Sequence, residues 1–367
     1  MKPLTLGFIG LGLIGGSIAK AIRRVHPDYR IIAYDKNRKN LIAALMEGTL
    51  NETHDSLSSA FSDCDIIFLC APVSMNIQYL QRLKPMISSD CILTDVGSVK
   101  TSIHEAAAEV GLNSCFIGGH PMAGSEKTGY ENASDRLVEN AYYILTPSQN
   151  TSSEKYRRLF MLIQSIAAIP ITLTYTEHDR ITAAISHLPH IIAYTLVNLV
   201  QDSDSSDGMM RRLAAGGFKD LTRIASSSPV MWQQICAENT PQIKEILKSY
   251  IDSLTSVFKA LEKQDAGFLL ESFEKARDYR SDIPASGIKS SLSSIEEIYI
   301  DLVDESGAIA TIATILATNS ISIKNIGIVH SREFQEGVLR IEFYESYATK
   351  KAAELLRRFH YVVHERG

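Results

Sequence analysis

The first 171 residues alternate between short apolar, β-branched runs and longer stretches whose apolar positions recur every three or four residues. Strands are predicted over 4–9, 30–34, 65–70, 91–94 and 114–117, with helices over 14–25, 37–47, 76–83 and 102–110 between them. A period of two that switches to 3.6 and back is the pattern of β-α units around a parallel, doubly wound sheet. Runs at 141–145 and 169–173 flank a helical stretch at 154–166 and extend that sheet. After residue 176 the strand signal stops. Stretches 177–200, 209–215, 229–238, 241–264 and 266–282 carry helical period, and Pro229 and Pro241 stand where a first turn tolerates the missing N–H. The serines of 281–294, with Pro284 and Gly287, have linker composition. Beyond them the order is strand 297–303, helix 308–318, strands 322–329 and 338–343, helix 347–358 and strand 361–365, a βαββαβ unit of the ferredoxin-like kind. The expected organisation is an α/β domain at 1–171, an all-α domain at 172–285, a linker at 286–295 and the βαββαβ domain at 296–367.

Composition narrows the class. A length of 367 residues suits two or three domains, and 45% apolar content is too high for a disordered chain. Thirty-seven Lys and Arg against forty-two Asp and Glu give a net charge of −5 with the signs well mixed. A nucleic-acid partner leaves a basic stripe, and none is present, so no nucleic acid is expected. Residues 4–22 share with a signal peptide a lysine ahead of an apolar stretch. Gly7, Gly10, Gly12, Gly15 and Gly16 interrupt that stretch, and no small-residue cleavage site follows. Nowhere else do eighteen apolar residues run uninterrupted, so no membrane partner is expected. Cys64, Cys70, Cys91, Cys115 and Cys236 are odd in number and lack CxxC spacing. That usage fits reduced thiols in a cytoplasmic protein, with neither a disulfide framework nor a metal site.

Gly10-Leu11-Gly12-Leu13-Ile14-Gly15 follows a predicted strand and opens a predicted helix. In a dinucleotide fingerprint the first glycine makes the tight turn, the second lets the backbone approach a pyrophosphate, and the third packs helix on strand. The helix N-terminus then presents unpaired N–H groups to the phosphates. Asp35 ends the next strand, where its carboxylate accepts from a ribose 2′-hydroxyl and repels a 2′-phosphate. NAD is therefore favoured over NADP, with Lys36 and Arg38 close enough to blunt the preference. The cofactor-binding set is expected to comprise Gly10, Gly12, Leu13, Ile14, Gly15, Asp35, Ala71 and Pro72. Ser98, in Asp95-Val96-Gly97-Ser98-Val99-Lys100, is either a hydroxyl for a substrate or the N-cap of the following helix. His120 lies in the glycine-dense loop 118–129 after the last parallel strand. It is either a proton acceptor at neutral pH or a surface-loop histidine. His187 and His190 share a helix face at i, i+3, and without a third ligand cluster they do not make a metal site. Asp220 and Arg223, also i, i+3, are either a carboxylate grip or an exposed intrahelical pair.

The motifs GLGLIGGS, DVGSVK, GGHPMAGSEKTG, SHLPH and AAGGFKDLTRIASSSPVMW, in this order over residues 4–285, together resemble the prephenate dehydrogenase family. The resemblance implies a Rossmann-like α/β domain, a helical domain and an NAD-dependent oxidative decarboxylation of prephenate; the long apolar-faced helices at 177–200 and 241–264, too many to bury against one another, are expected to pack on a second copy as a homodimer. It implies that His120 is the catalytic histidine and Ser98 its partner on the ring alcohol. Ser125, Glu126, His190 and Arg223 would line the substrate pocket, with Asp220 supporting Arg223. Residues 296–367 resemble an ACT domain, an amino-acid-sensing module, with L-tyrosine as effector at Asp304, Glu305, Gly307, Ala308 and Asn325. Its turn departs from the family's Pro-Gly, reading Ser306-Gly307 here. An arogenate dehydrogenase is the alternative enzyme. A non-catalytic sensor of dinucleotide and amino acid is the alternative class, against which Ser98, His120 and Arg223 together argue.

Overall fold

The computed structural model describes residues 3–124, 127–283, 297–301, 307–329, 338–343 and 346–365. It divides into two compact units, Met1–Ile283 and Pro284–Gly367. The α/β and helical regions, expected as separate domains at 1–171 and 172–285, pack as one body. The expected linker at 286–295 lies outside the described residues.

The α/β region runs β1 (Thr5–Ile9), α1 (Leu13–Val25), β2 (Arg30–Tyr34), α2 (Arg38–Met46), β3 (Glu52–His54), β4 (Ile66–Leu69), α3 (Val73–Leu83), β5 (Ile92–Asp95), α4 (Thr101–Glu109), β6 (Phe116–Pro121), β7 (Tyr142–Pro147), α5 (Ser153–Ser165) and β8 (Ile169–Thr172). The sheet order is β3-β2-β1-β4-β5-β6-β7-β8, parallel throughout except between β6 and β7. β3 has no counterpart in the expected pattern, because three half-buried residues at a sheet edge are too few to show a period. Both faces are covered. Ile18 and Ile22 of α1, Leu41 of α2 and Leu159 of α5 close one core. Tyr79 and Leu80 of α3 and Ile103 of α4 close the other. Strands buried on both faces read as continuous apolar runs, as in Ile66-Ile67-Phe68-Leu69. The order reverses between β1 and β4, so a crevice opens beyond their carboxyl ends. The five cysteines are free thiols, and burial pushes Cys64 up to about 12.

The helical region comprises α6 (Tyr175–Thr182), α7 (Leu188–Ser203), α8 (Met209–Leu213), α9 (Gly216–Thr222), α10 (Pro229–Glu238), α11 (Thr240–Glu262) and α12 (Ala266–Asp282). The single helix expected at 177–200 is instead two, joined by a π turn over Ala183–His187. Pro189 supplies the cause: its ring cannot sit against the carbonyl four residues earlier, and one wide turn removes the clash. Few apolar side chains here find cover. Tyr194 and Leu199 on α7, Leu254, Phe258 and Leu261 on α11, and Leu270 and Phe273 on α12 remain exposed. Within the run Tyr175–Ser203 an 18-residue stretch has a mean hydropathy of 1.4, so by length and composition the run could cross a membrane, which uninterrupted apolar runs alone did not reveal. It also carries His178, Asp179 and His187, all buried and bonded within the protein.

The second unit runs β9 (Glu297–Asp301), α13 (Ala308–Thr318), β10 (Ile323–Val329), β11 (Val338–Phe343), α14 (Ser346–Arg358) and β12 (Val363–Glu365). Its sheet, in order β10-β11-β9-β12, is antiparallel throughout. Ile298, Ile300, Leu339 and Ile341 meet Ile312 and Leu316 of α13 and Leu356 of α14 in a core of its own.

Candidate active site

A cavity of about 260 Å³ opens at the reversal point, lined by Gly10, Leu11, Gly12, Tyr34, Asp35, Lys36, Cys70, Ala71, Pro72, Met75 and Tyr79. Gly10 turns the chain at φ +92, and a Cβ there would stand 2.8 Å from the Cys70 carbonyl carbon and 2.9 Å from Ala71 N. Only glycine permits both the left-handed backbone and the close approach of β1 to β4. Gly12 caps α1 without a side-chain hydrogen bond, and nothing lies within 4 Å of where its Cβ would be. The open space and the free first-turn amides suit a pyrophosphate. Leu13, Ile14 and Gly15 do not line the cavity. Gly15 instead packs α1 on the sheet, its missing Cβ falling 2.7 Å from Gly10 O and 2.8 Å from Cys70 Cβ. The Asp35 carboxylate accepts from the amides of Leu11 and Asn37. Lys36 lines the cavity, whereas Arg38 is drawn away to Asp55 at 3.1 Å. This donor set fits a dinucleotide whose ribose meets a carboxylate.

Along the same sheet edge, β5 and β6 carry a buried polar cluster. Gly118 and Gly119 let β6 run close to its neighbours: a Cβ on Gly119 would lie 2.6 Å from Asp95 O and 3.0 Å from Thr94 Oγ1. Asp95 is fully buried and accepts from Gly97 N at 2.9 Å and Gly119 N at 3.0 Å. Its other partner is the Nζ of Lys100, also fully buried. Burial lowers the lysine's proton affinity, against which Asp95 pulls.

His120 therefore stands not in a loop but near the end of β6, half-buried. The surface-loop reading falls, because β6 pairs with β7 beyond His120 as far as Pro121 and Tyr143. Its Nδ1 lies 2.7 Å from His178 Nε2, and His178 Nδ1 lies 2.8 Å from Asp179 Oδ1. Asp179 also accepts from the amides of Lys100 and Thr101, each at 2.8 Å. Those amides open α4, so the helix is capped by a side chain from α6. Ser98 is therefore not the N-cap of α4, whose cap residue is Lys100. The serine remains half-buried on the β5–α4 loop, and among the described residues its hydroxyl has no hydrogen-bond partner. Asn239 donates to Asp179 O at 2.9 Å and meets His187 Nδ1 at 3.1 Å. Burial, then His178, Lys100 and His187, hold the proton affinity of His120 well below the ordinary histidine range. Burial takes His187 down to about 4.

His190 gives its Nδ1–H to Ser186 O at 3.0 Å and stacks on Trp232, with ring centroids 3.5 Å apart. The Trp232 indole N–H is buried without a partner among the described residues. Arg223 is exposed at the start of a 3₁₀ turn, and its charge adds to the burial that lowers the proton affinity of His190, against the pull of Ser186 O. No ion pair between Arg223 and Asp220 occurs among the described residues. Among the described residues no group of three His, Cys, Asp or Glu side chains is placed to hold a metal ion. Ser125 and Glu126 lie outside those residues, as do Asp304 and Glu305. In the second unit Gly307 caps α13 at φ +93 and Ala308 is buried. Asn325 on β10 is exposed and donates to Glu342 at 3.5 Å. Sequence reading missed His178, Asp179 and Asn239 as site residues. A His-Asp pair in the first turns of a helix looks like a solvated face, and no spacing ties it to His120.

The sequence pattern described as prephenate dehydrogenase, nucleotide-binding domain, matches residues 18–171. That described as prephenate dehydrogenase, dimerization domain, matches residues 174–275. The chain is 38% identical over 354 residues to a prephenate dehydrogenase of Bacillus subtilis, covering 96% of this chain and 95% of that one. Among solved structures it resembles the prephenate dehydrogenase of A. aeolicus in complex with hydroxyphenyl propionate and NAD+. The TM-score is 0.73 at 29% identity, over 77% of this chain and 99% of that one. A Synechocystis arogenate dehydrogenase gives a TM-score of 0.69 at 29% identity, over 77% and 100%.

Proposed function

The chain belongs to the prephenate dehydrogenase family, and on that premise we propose that it oxidises and decarboxylates prephenate to 4-hydroxyphenylpyruvate with NAD. The observation that carries the reading is His120, on the same sheet edge as the dinucleotide cavity and held neutral by its surroundings. Bound NAD supplies the acceptor for the hydride that leaves the carbinol carbon. His120 takes the hydrogen bond and then the proton of the ring hydroxyl as that oxygen becomes a carbonyl. Carbon dioxide leaves from the opposite ring carbon, the ring becomes aromatic, and His120 returns the proton to the oxygen, so protons balance. Arg223 offers a planar fork to a substrate carboxylate, which a lysine cannot reproduce. Ser98, Ser125, Glu126 and His190 are further substrate contacts in this reading. Mixing the protein with NAD and either prephenate or arogenate is the test, and NADH should form with prephenate. A pure sensor would give no NADH with either.

Gly10, Gly12, Asp35, Ala71 and Pro72 hold the cofactor in this reading. Asp35→Ser removes the charge that repels a 2′-phosphate while Lys36 stays at the cavity. The expected result is a rise of about tenfold or more in kcat/KM for NADP relative to NAD, from a repulsion of order 1–4 kcal/mol. An unchanged ratio would show that Asp35 does not read the ribose.

The second unit is proposed to be a ferredoxin-like ACT module that senses L-tyrosine beside Gly307, Ala308 and Asn325. A chain ending at Ser286 should keep its turnover and lose tyrosine inhibition. Full sensitivity in that chain would place the effector elsewhere. The open apolar faces of α7, α11 and α12 are proposed to meet a second copy, giving a cytoplasmic homodimer.

A further inference from the structure

We propose that His178 and Asp179 are positioning residues that fix which nitrogen of His120 is bare, so that Nε2 faces the substrate as a hydrogen-bond acceptor. The inference rests on the reading of His120 as the proton acceptor.

The assignment follows by elimination along one chain of contacts. Asp179 is an ionised acceptor: burial pushes its carboxyl upward, but hydrogen bonds from His178 and Thr101 more than offset that. A carboxylate oxygen 2.8 Å from His178 Nδ1 requires a proton on that nitrogen. Burial holds His178 below the ordinary histidine range, the bond to Asp179 only partly opposing it. A neutral ring with its proton on Nδ1 has a bare Nε2. That atom lies 2.7 Å from His120 Nδ1, so His120 Nδ1 must be the donor. Neutral in turn, His120 is left with Nε2 unprotonated. In the opposite tautomer two lone pairs would face each other at 2.7 Å, and Nε2 would be a donor unable to accept the hydroxyl proton. The relay is rigid at its far end, because both Asp179 oxygens are held by the amides that open α4 and its carbonyl by Asn239. When His120 becomes charged during turnover, the carboxylate two rings away stabilises it. Such a second layer of support is what sets a histidine's orientation and basicity in other hydrogen-bonded catalytic groups.

The test sets shape against hydrogen bonding. His178→Phe keeps a ring of similar size but offers His120 no acceptor. His178→Gln loses the ring, yet its amide oxygen can accept from His120 Nδ1–H while its NH₂ donates to Asp179. The expected result is a fall in kcat of about 10²–10³-fold for Phe, with at least tenfold recovered by Gln. KM for NAD and prephenate should move less than about threefold in both. In a His120→Asn background the difference between Phe and Gln should shrink to within about twofold, since residues acting as a unit are not additive. Phe as active as Gln would overturn the proposal, because a packing role favours the ring. So would a Phe–Gln difference that persists without His120. Turnover that survives His120→Asn would instead remove the underlying reading, and the inference with it. Should the Phe variant fail to fold, ¹⁵N-histidine NMR of the full wild-type chain decides. The His120 signals, identified by their loss in His120→Asn, should show a protonated Nδ1 and a bare Nε2. The reverse pattern overturns the assignment.

Discussion

Replacing His120 by Asn should lower kcat by about 10²–10⁴-fold while NAD binds as before. The asparagine amide reaches where Nδ1 stands, so the contact with His178 survives and only the outward Nε2 is lost. Gly119 before it still fits against Thr94 and Asp95, and Gly118 against Thr146 and His104, so β6 keeps its course. Initial rates of NADH formation, with a separate NAD titration, measure the effect. Turnover within about threefold of wild type would remove His120 from the chemistry. The wild-type pH profile carries the same information. In the proposed mechanism neutral His120 is the active form, and burial with its neighbours His178, Lys100 and His187 lowers its proton affinity. Activity should therefore hold through pH 6.5 and fail only at more acidic pH, as the imidazole gains its proton.

The second large effect is on stability. Lys100→Met leaves Asp95 fully buried without its cation, and breaking a buried pair in this way costs about 3–5 kcal/mol. The two backbone amides that Asp95 accepts cannot neutralise the charge. Urea unfolding at neutral pH is the measurement. Asp95→Asn combined with Lys100→Met should recover much of the loss, since no buried charge then remains. A single variant as stable as wild type would mean that Asp95 protonates at little cost. Acid should weaken the fold as well, with a definite sign. Buried His104 and His187 titrate at about 3 and about 4 in the folded chain, against an ordinary value of 6.5. The unfolded chain binds the extra protons first. The stability these rings contribute is complete above about pH 6.5 and drains away as pH falls towards 4 and then 3.

The glycine fingerprint and the strand-helix alternation were legible because each depends on a few neighbouring residues. Gly10 must turn and the buried strands must be apolar on both faces, so composition and period reveal them directly. The π turn was hidden in an apolar run that reads as one helix, although Pro189 marked the place. What the pattern could not disclose was contact between distant segments. His120 and His178 stand 58 positions apart, and Asp179 meets Lys100 across 79. Nothing in the sequence around Lys100 marks it as buried, and only the walls of β5, β6 and α6 make it a buried cation.

Asp179 ties the sheet to the helical region. One carboxylate closes the amide end of α4, on the sheet, while gripping a ring on its own helix. Lifting the helices from the sheet would strip two amides of their acceptor and release His178 in the same movement. If His120 is the proton acceptor as proposed, the joint acts as an interlock: a molecule sprung open would have disarmed its base, and the accepting nitrogen would be correctly presented only while the two halves are shut.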